Sequence, residues 1–272
     1  MSDNNKAFYP AGHHESVLKA HRARTAANSA PFLLPLLRPT DTLLDVGCGP
    51  GSISCTLAQH VAKVTGIEHE SAGEATLEGA RLLAKDLDVA DRVSFHFADA
   101  LALPFEDNSF DVVYCHQVLQ HVPDPVGVLR EMRRVSKRLV AAREADRGSF
   151  VHYPDPDGLL SRFDELWYAV SRAGRGEPDA ARRLKSWALE AGFGKDEVDV
   201  QAGSTRPDVK EWGTGFAERT TKSGFASKVL ELGLSSQDEL ERISQAWREW
   251  AEKDDAWVGY IQGDLLAYKE KQ

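Results

Sequence analysis

Apolar and polar positions along the chain follow two rhythms. Short runs that are apolar or alternating recur at 42–46, 62–67, 92–97, 110–115, 139–143 and 197–202, and each reads as a strand. Between them apolar residues return at every third and fourth position. Leu77, Ala80, Leu83, Ala84 and Leu87 give one buried face to a helix over 72–86. Val128, Leu129, Met132 and Val135 do the same behind Asp124 as N-cap and Pro125 at the first helical position. Leu159, Leu160, Phe163, Leu166, Trp167 and Val170 mark a helix over 158–173, and Leu184, Trp187 and Ala188 one over 180–191. Strands alternating with helices predict an α/β fold: a mostly parallel sheet covered on both faces.

The rhythm changes after residue 202. Helices are expected over 217–232 and 237–253, the second carrying the stripe Leu240, Ile243, Trp247 and Trp250. Residues 257–268 then supply a final, antiparallel strand, which makes the helices an insertion between strands six and seven. At the other end, residues 1–30 read as a polar lead and a helix with a weak apolar face, locally basic through His13, His14, His21, Arg22 and Arg24. The expected organisation is an N-terminal helical lid (1–40), an α/β core (41–202, with a helical insertion at about 155–178) and a helical cap plus last strand (203–272) completing the same domain. A chain of 272 residues suits one large domain with insertions.

The first strand ends in a carboxylate, and Gly47, Gly49 and Gly51 follow before a helical pattern begins at Ser52. Glycine allows positive φ and close approach of a ligand to the backbone, and a helix start offers free N–H groups. A dinucleotide fingerprint would want glycine at position 52, which is Ser52. The second strand closes on Glu68, followed by His69, at about the 20-residue spacing of a carboxylate that accepts from ribose hydroxyls. Asp99, Ala100 and Leu101 follow the third strand. The fourth is introduced by Leu103-Pro104-Phe105-Glu106-Asp107-Asn108-Ser109-Phe110-Asp111-Val112-Val113.

The glycine turn resembles motif I of the class I S-adenosylmethionine-dependent methyltransferases. The 103–113 stretch is similar to the L-P-F-x-D-x-S-F-D-x-V signature of the family containing the ubiquinone and menaquinone C-methyltransferases (methyltransferase type 11). The resemblance covers 42–138 well, 139–202 loosely and the cap hardly at all. It implies the Rossmann-like class I methyltransferase fold with a seven-stranded sheet, S-adenosylmethionine as cofactor and S-adenosylhomocysteine as product. Implied cofactor contacts are Asp45, Gly47, Cys48, Gly49 and Gly51 in the turn, Glu68 and His69 at the ribose, and Asp99, Ala100 and Leu101 at the adenine. His116, Gln117 and Val118 are implied at the methionine end, beyond the carboxyl edge of strand four. Similar families cover that end with N-terminal helices, which makes Tyr9, Arg24 and Thr25 candidates. The chain departs from the family at one point. The usual P-G-G before strand five is absent, and Ser136-Lys137-Arg138 runs straight into Leu139. A tighter or altered connection is expected, and the register of strand five stays open.

Methyl transfer is an in-line displacement, for which the protein mainly supplies alignment and a dry site. A phenol, amine or carbon acid acceptor would also need a base. His121, at the junction after strand four, is the first candidate as base or orienter, and Glu144, at the end of strand five, the second. All six tryptophans follow residue 166, as core of the added helices or as walls of an acceptor pocket. A net charge of −9 argues against a nucleic-acid partner. No D/N-P-P-Y/W tetrapeptide follows strand four, which removes the exocyclic-amine methylases. The three cysteines have no metal-ligand spacing, and neighbouring His13 and His14 would face different ways on a helix, so no metal is expected. Residues 1–6 lack an apolar signal core, and no run approaches the ~20 apolar residues of a membrane span. The expectation is a cytoplasmic enzyme, monomer or homodimer, without stable membrane association and acting on a small molecule. Two other readings stay open: a nicotinamide-dependent oxidoreductase, against which the glycine spacing, Asp99 and the 110–115 signature speak, and a non-catalytic S-adenosylmethionine-binding protein.

Overall fold

A computed structural model describes residues 21–269. Its strands are β1 (Thr42–Val46), β2 (Lys63–Glu68), β3 (Val93–Phe97), β4 (Phe110–His116), β5 (Ser136–Ala145), β6 (Val151–Tyr153), β7 (Val198–Thr205) and β8 (Trp257–Tyr268). The sheet runs β3-β2-β1-β4-β5-β8, with β7 and β6 also paired to β8. The first five strands pair in parallel, whereas β8 is antiparallel to β5, β6 and β7. Eight strands therefore stand where seven are expected. The added one is β6, whose three residues read as loop in the sequence because the run is too short to show alternation.

Side chains on successive strand residues point to opposite faces, and here both faces are covered. Leu43, Val112, Tyr114, Leu139 and Ala141 pack on one side against α1 (Ala26–Ser29), α2 (Ser52–Leu57) and α3 (Glu74–Asp86). Leu44, Val46, Val113, Cys115, Val140 and Ala142 pack on the other against α4 (Pro125–Val135) and the helix that ends the next crossover. A third core lies apart from the sheet. It joins α5 (Leu159–Ala173) to three cap helices through Phe163, Phe216, Phe225, Trp247 and Trp250.

Four boundaries differ from expectation. The helix expected over 217–232 is two helices, and it starts earlier. α6 (Leu184–Glu190) is followed in the chain by α7 (Val209–Lys222), α8 (Gly224–Glu231) and α9 (Gln237–Ala251). Asp208 caps α7 by accepting from Glu211 N, and extended Ser223 breaks the run and caps α8. Gly213 lets α7 lie close on α9, since a Cβ there would sit 2.7 Å from Ala251 Cβ. The 180–191 helix begins as a 3₁₀ turn, Ala180–Arg183, before α6. In the N-terminal segment the described part of the expected helix is interrupted at extended Thr25.

The fourth difference is at strand five. α4 ends at Val135, and β5 begins at the next residue, without a loop. The ladder takes up the strain: Phe110 pairs Ser136, but Val112 pairs Leu139, a one-residue bulge in β5. Arg138 in that bulge reaches back to Asp41 at 2.7 Å, and Lys137 to Asp111 at 3.2 Å. The altered connection expected from the missing glycines is this direct junction.

Candidate functional site

The carboxyl ends of β1, β2 and β4 open onto a cavity of about 210 Å³. The turn after β1 forms its floor. Gly47, Gly49 and Gly51 all have positive φ, +73°, +52° and +78°. A Cβ on Gly47 would meet Val118 Cγ2 at 2.4 Å, and one on Gly51 would meet Ala80 Cβ at 2.7 Å. Gly49 differs: nothing lies within 4 Å of where its Cβ would be. That open space over a bare backbone is where a ligand can lie against the turn.

Two acidic side chains brace this floor. Buried Asp45 accepts from Ser54 Oγ at 2.5 Å. Burial pushes its carboxyl up to about 7, against the Ser54 hydrogen bond. Glu68 accepts from Gly49 N at 2.7 Å and from His69 N at 2.8 Å, which ties the second strand's end to the middle of the turn. His69 Nδ1 accepts from Ser71 N at 3.2 Å, so its proton sits on Nε2. Asp99 is exposed, lines the cavity and accepts at Oδ1 from Leu101 N at 2.8 Å.

The far wall is the turn after β4. Gln117 sits at φ +55° and gives its N–H to Arg143 O at 2.7 Å. Its Oε1 accepts from Arg24 Nη2 at 2.7 Å, which pins the N-terminal segment across the cavity. Two more bonds fasten that segment to α2: Ser52 Oγ to His21 O at 2.9 Å, and Ala26 N to Thr56 Oγ1 at 2.8 Å. Tyr114 Oη donates to Ser29 O at 2.9 Å and lies 3.2 Å from His116 Nδ1. His21, Arg24, His116 and His121 all line the cavity. Burial first, and the Arg24 charge second, lower the imidazoles of His21 and His116 well below their usual value and bring His121 to about 3. The three rings are neutral at pH 7.

The cavity gathers Arg24, Asp45, Gly47, Cys48, Gly49, Glu68, His69, Asp99, Ala100, Leu101, His116, Gln117, Val118 and His121. Three expected residues do not line it. Gly51 is spent on helix packing, as its contacts above show. Thr25 caps α1 in a reciprocal box with Asn28. Glu144 is fully buried, and its carboxylate accepts from Val118 N, Leu119 N and Gln120 N at 2.9, 2.8 and 3.3 Å. Burial raises it to about 8 in spite of those bonds. Tyr9, His13 and His14 lie outside the described residues. The cavity also takes in residues the sequence reading missed, among them His21, Ser52, Ile53, Ser71 and Val122. His21 and Ser52 had a signal: one sits three residues before Arg24, the other opens the helix after the glycines. None of the tryptophans lines the cavity; Trp247 and Trp250 are core. Among the described residues no group of histidine, cysteine and carboxylate side chains is placed to hold a metal ion, and no helix is long and apolar enough to cross a membrane.

Residues 44–139 match the model of a methyltransferase domain family. A probable methyltransferase of Aspergillus luteorubrus, ltbC, is 30% identical over 96% of this chain and 97% of its own length. The 27-O-demethylrifamycin SV methyltransferase of Amycolatopsis mediterranei is 42% identical over 76% of this chain and 71% of its own. Among solved structures, a phosphoethanolamine N-methyltransferase of Haemonchus contortus, in complex with phosphomonomethylethanolamine and S-adenosylhomocysteine, superposes with a TM-score of 0.54 at 19% identity. The match covers 90% of this chain and 53% of that one.

Proposed function

The chain belongs to the class I S-adenosylmethionine-dependent methyltransferases, and from that premise we propose that it methylates a hydroxyl of a small-molecule acceptor held between Arg24 and His121. The observation that carries the proposal is the convergence of the glycine turn, Glu68, Asp99 and the His116–His121 turn on one cavity.

The residues present fit the cofactor. The open face of Gly49 leaves room for it, and carboxylate acceptors line the same cavity. Glu68 keeps lone pairs for the ribose diol, Asp99 Oδ2 for the adenine amino group, and Arg24 keeps N–H groups beyond its bond to Gln117 for the methionine carboxylate. Asp45 supplies a negative or hydrogen-bonding partner on the methionine side. When bound, the cofactor supplies a sulfonium-activated methyl group, so the protein's work is alignment and exclusion of water. Residues 21–30, fastened to α2 and Gln117, are the described part of the lid.

The state of His121 decides its role. Burial and the nearby Arg24 charge lower His121, which makes its ring a weak base. His121 is therefore the orienter: a neutral ring that accepts from, and aims, an acceptor hydroxyl. A hydroxyl acceptor agrees with the printed activity of the 27-O-demethylrifamycin SV methyltransferase. The net charge of −9 supports a small molecule over a nucleic acid. The buried, unpaired Cys48, Cys55 and Cys115 suit a reducing compartment such as the cytoplasm.

Labelled methyl from S-adenosylmethionine, incubated with the protein and small-molecule extracts of the source cell, tests the reading. Label is expected on an alkali-stable methyl ether. Label on an amine or carbon would overturn the hydroxyl assignment. His121→Ala is expected to lower transfer at least tenfold and to leave S-adenosylhomocysteine binding unchanged.

A further inference from the structure

The turn that carries Gln117, Val118 and His121 has no cap of its own. It is a 3₁₀ turn, Leu119–His121, and Val118 before it offers no side-chain acceptor. Its leading N–H groups would be buried orphans. They are satisfied across the sheet, by two consecutive residues of β5. Arg143 O takes the N–H of Gln117, and the Glu144 carboxylate takes those of Val118, Leu119 and Gln120. Four successive backbone donors are thus fixed by one strand end. From above, Gln120 O accepts from Glu177 N at 3.0 Å.

We propose that Glu144 is a positioning residue: its carboxylate, away from the cavity, holds the Val118–Gln120 backbone and so aims Gln117 and His121 into the acceptor end. The inference rests on the methyltransferase reading of the cavity. The side chain type is specific to the task. Both oxygens are in use, Oε1 accepting from Val118 N and Leu119 N and Oε2 from Gln120 N, and the ionised form carries no donor to clash with them. An amide turned into the same place would present NH₂ against one of those donors. The same contact explains why a carboxylate is kept in a fully buried place next to apolar Cys115 and Leu119.

Glu144→Gln, close in size, tests the proposal by NMR and calorimetry. His121 in the variant is expected to titrate upward from about 3 toward the ordinary value of about 6.5, as the loosened turn admits water. The amides of Val118, Leu119 and Gln120 should exchange about tenfold faster or more. A variant whose His121 titrates as in the parent protein would overturn the proposal. If the variant does not fold, Glu144→Asp, which withdraws the carboxylate by one methylene, is read in the same way. The parent protein gives a test without any variant: fast exchange of those three amides would also overturn it. Failure of the parent to bind S-adenosylhomocysteine would instead break the cofactor reading and leave the role of Glu144 in the turn standing.

Discussion

The carboxyl edge of the sheet and the helical cap both bury polar groups, and they treat them differently. At the sheet edge each has a partner: Asp45 has Ser54, Glu144 has three backbone N–H groups, and Arg143 has Asp264 at 2.5 and 2.7 Å. In the cap and the segment beneath it, Arg147 pairs with Asp164, but among the described residues its Nε and the buried His152 Nε2, Trp212 Nε1 and Trp247 Nε1 have no hydrogen-bond partner. What surrounds those atoms is aromatic. The Arg147 guanidinium lies 4.5 to 5.6 Å from the ring centres of Phe150, Phe163, Trp167 and Phe216. One region is held by directional bonds and sets geometry to tenths of an ångström. The other is held by ring area and cation–π contact, which tolerate looser geometry. Binding and stability should therefore separate by region.

The widest separation is expected at Trp247, fully buried in the cap. Trp247→Ala should cost about 3–5 kcal/mol in denaturant unfolding. The protein that remains folded should bind S-adenosylhomocysteine as before. A tenfold loss of affinity would mean that the cap core and the cavity act as one unit.

Next in size is a pH effect at the sheet edge. Asp45 is near 7 when folded and about 3.8 when free, so the folded state holds the extra proton between those values. Cofactor-free stability should then fall as pH rises from about 4 to 7. Asp45→Asn should remove roughly 4 kcal/mol of that slope. Glu144, raised to about 8, contributes with the same sign and leaves a residual slope. Thermal melts at several pH values read this directly. Stability rising through that window would show that Asp45 is ionised at lower pH than burial dictates.

Glu68 comes third. Replacing it with alanine removes two charge-assisted acceptors for the cofactor, about 1.5–3 kcal/mol, or roughly ten- to hundredfold in affinity for S-adenosylhomocysteine. An unchanged affinity would remove the ribose contact. Least of all is Thr25→Ala, which deletes a capping box outside the cavity. About 1 kcal/mol of local order in α1 should go, seen as faster amide exchange at 26–29, with affinity changed less than tenfold. A larger loss would make Thr25 the cofactor residue that the family resemblance implies.

Legibility in the sequence follows the same division. Gly47, Gly49, Glu68 and Asp99 are readable because each acts through local backbone: a left-handed turn, a strand end, a residue just past a strand. Their spacing along the chain is their geometry. Glu144 was visible as a carboxylate at the ligand edge, but not what it holds. Its partners lie 24 to 26 residues earlier, on a neighbouring strand's exit. Arg24 lines the cavity, whereas Thr25, its neighbour, caps α1. The apolar stripes found the cap helices and missed the break at Ser223, where a serine cap counted for more than the periodic pattern on either side. Whether the tryptophans wall a pocket or fill a core could not be read from periodicity, because both uses share the helical repeat.

The register of β5 decides which charge meets the turn after β4. Because the bulge absorbs one residue, Leu139 and Ala141 share a face with Val112 and Tyr114, and Val140 and Ala142 share one with Val113 and Cys115. The alternation then turns Arg143 toward Phe32 and Asn28 and Glu144 toward the amides of 118–120. A one-residue slip exchanges the two faces of a strand. Removing the extra residue of the bulge would leave Val112 opposite Leu139 and the faces unchanged, whereas one residue added between Leu139 and Arg143 would bring a guanidinium, rich in donors, against a row of donors, and turn a carboxylate toward the face where Arg143 now pairs with Asp264. The sign of the charge behind the turn after β4 is thus written in the register of β5 from Leu139 onward, which the bulge insulates from the length of the connection before it.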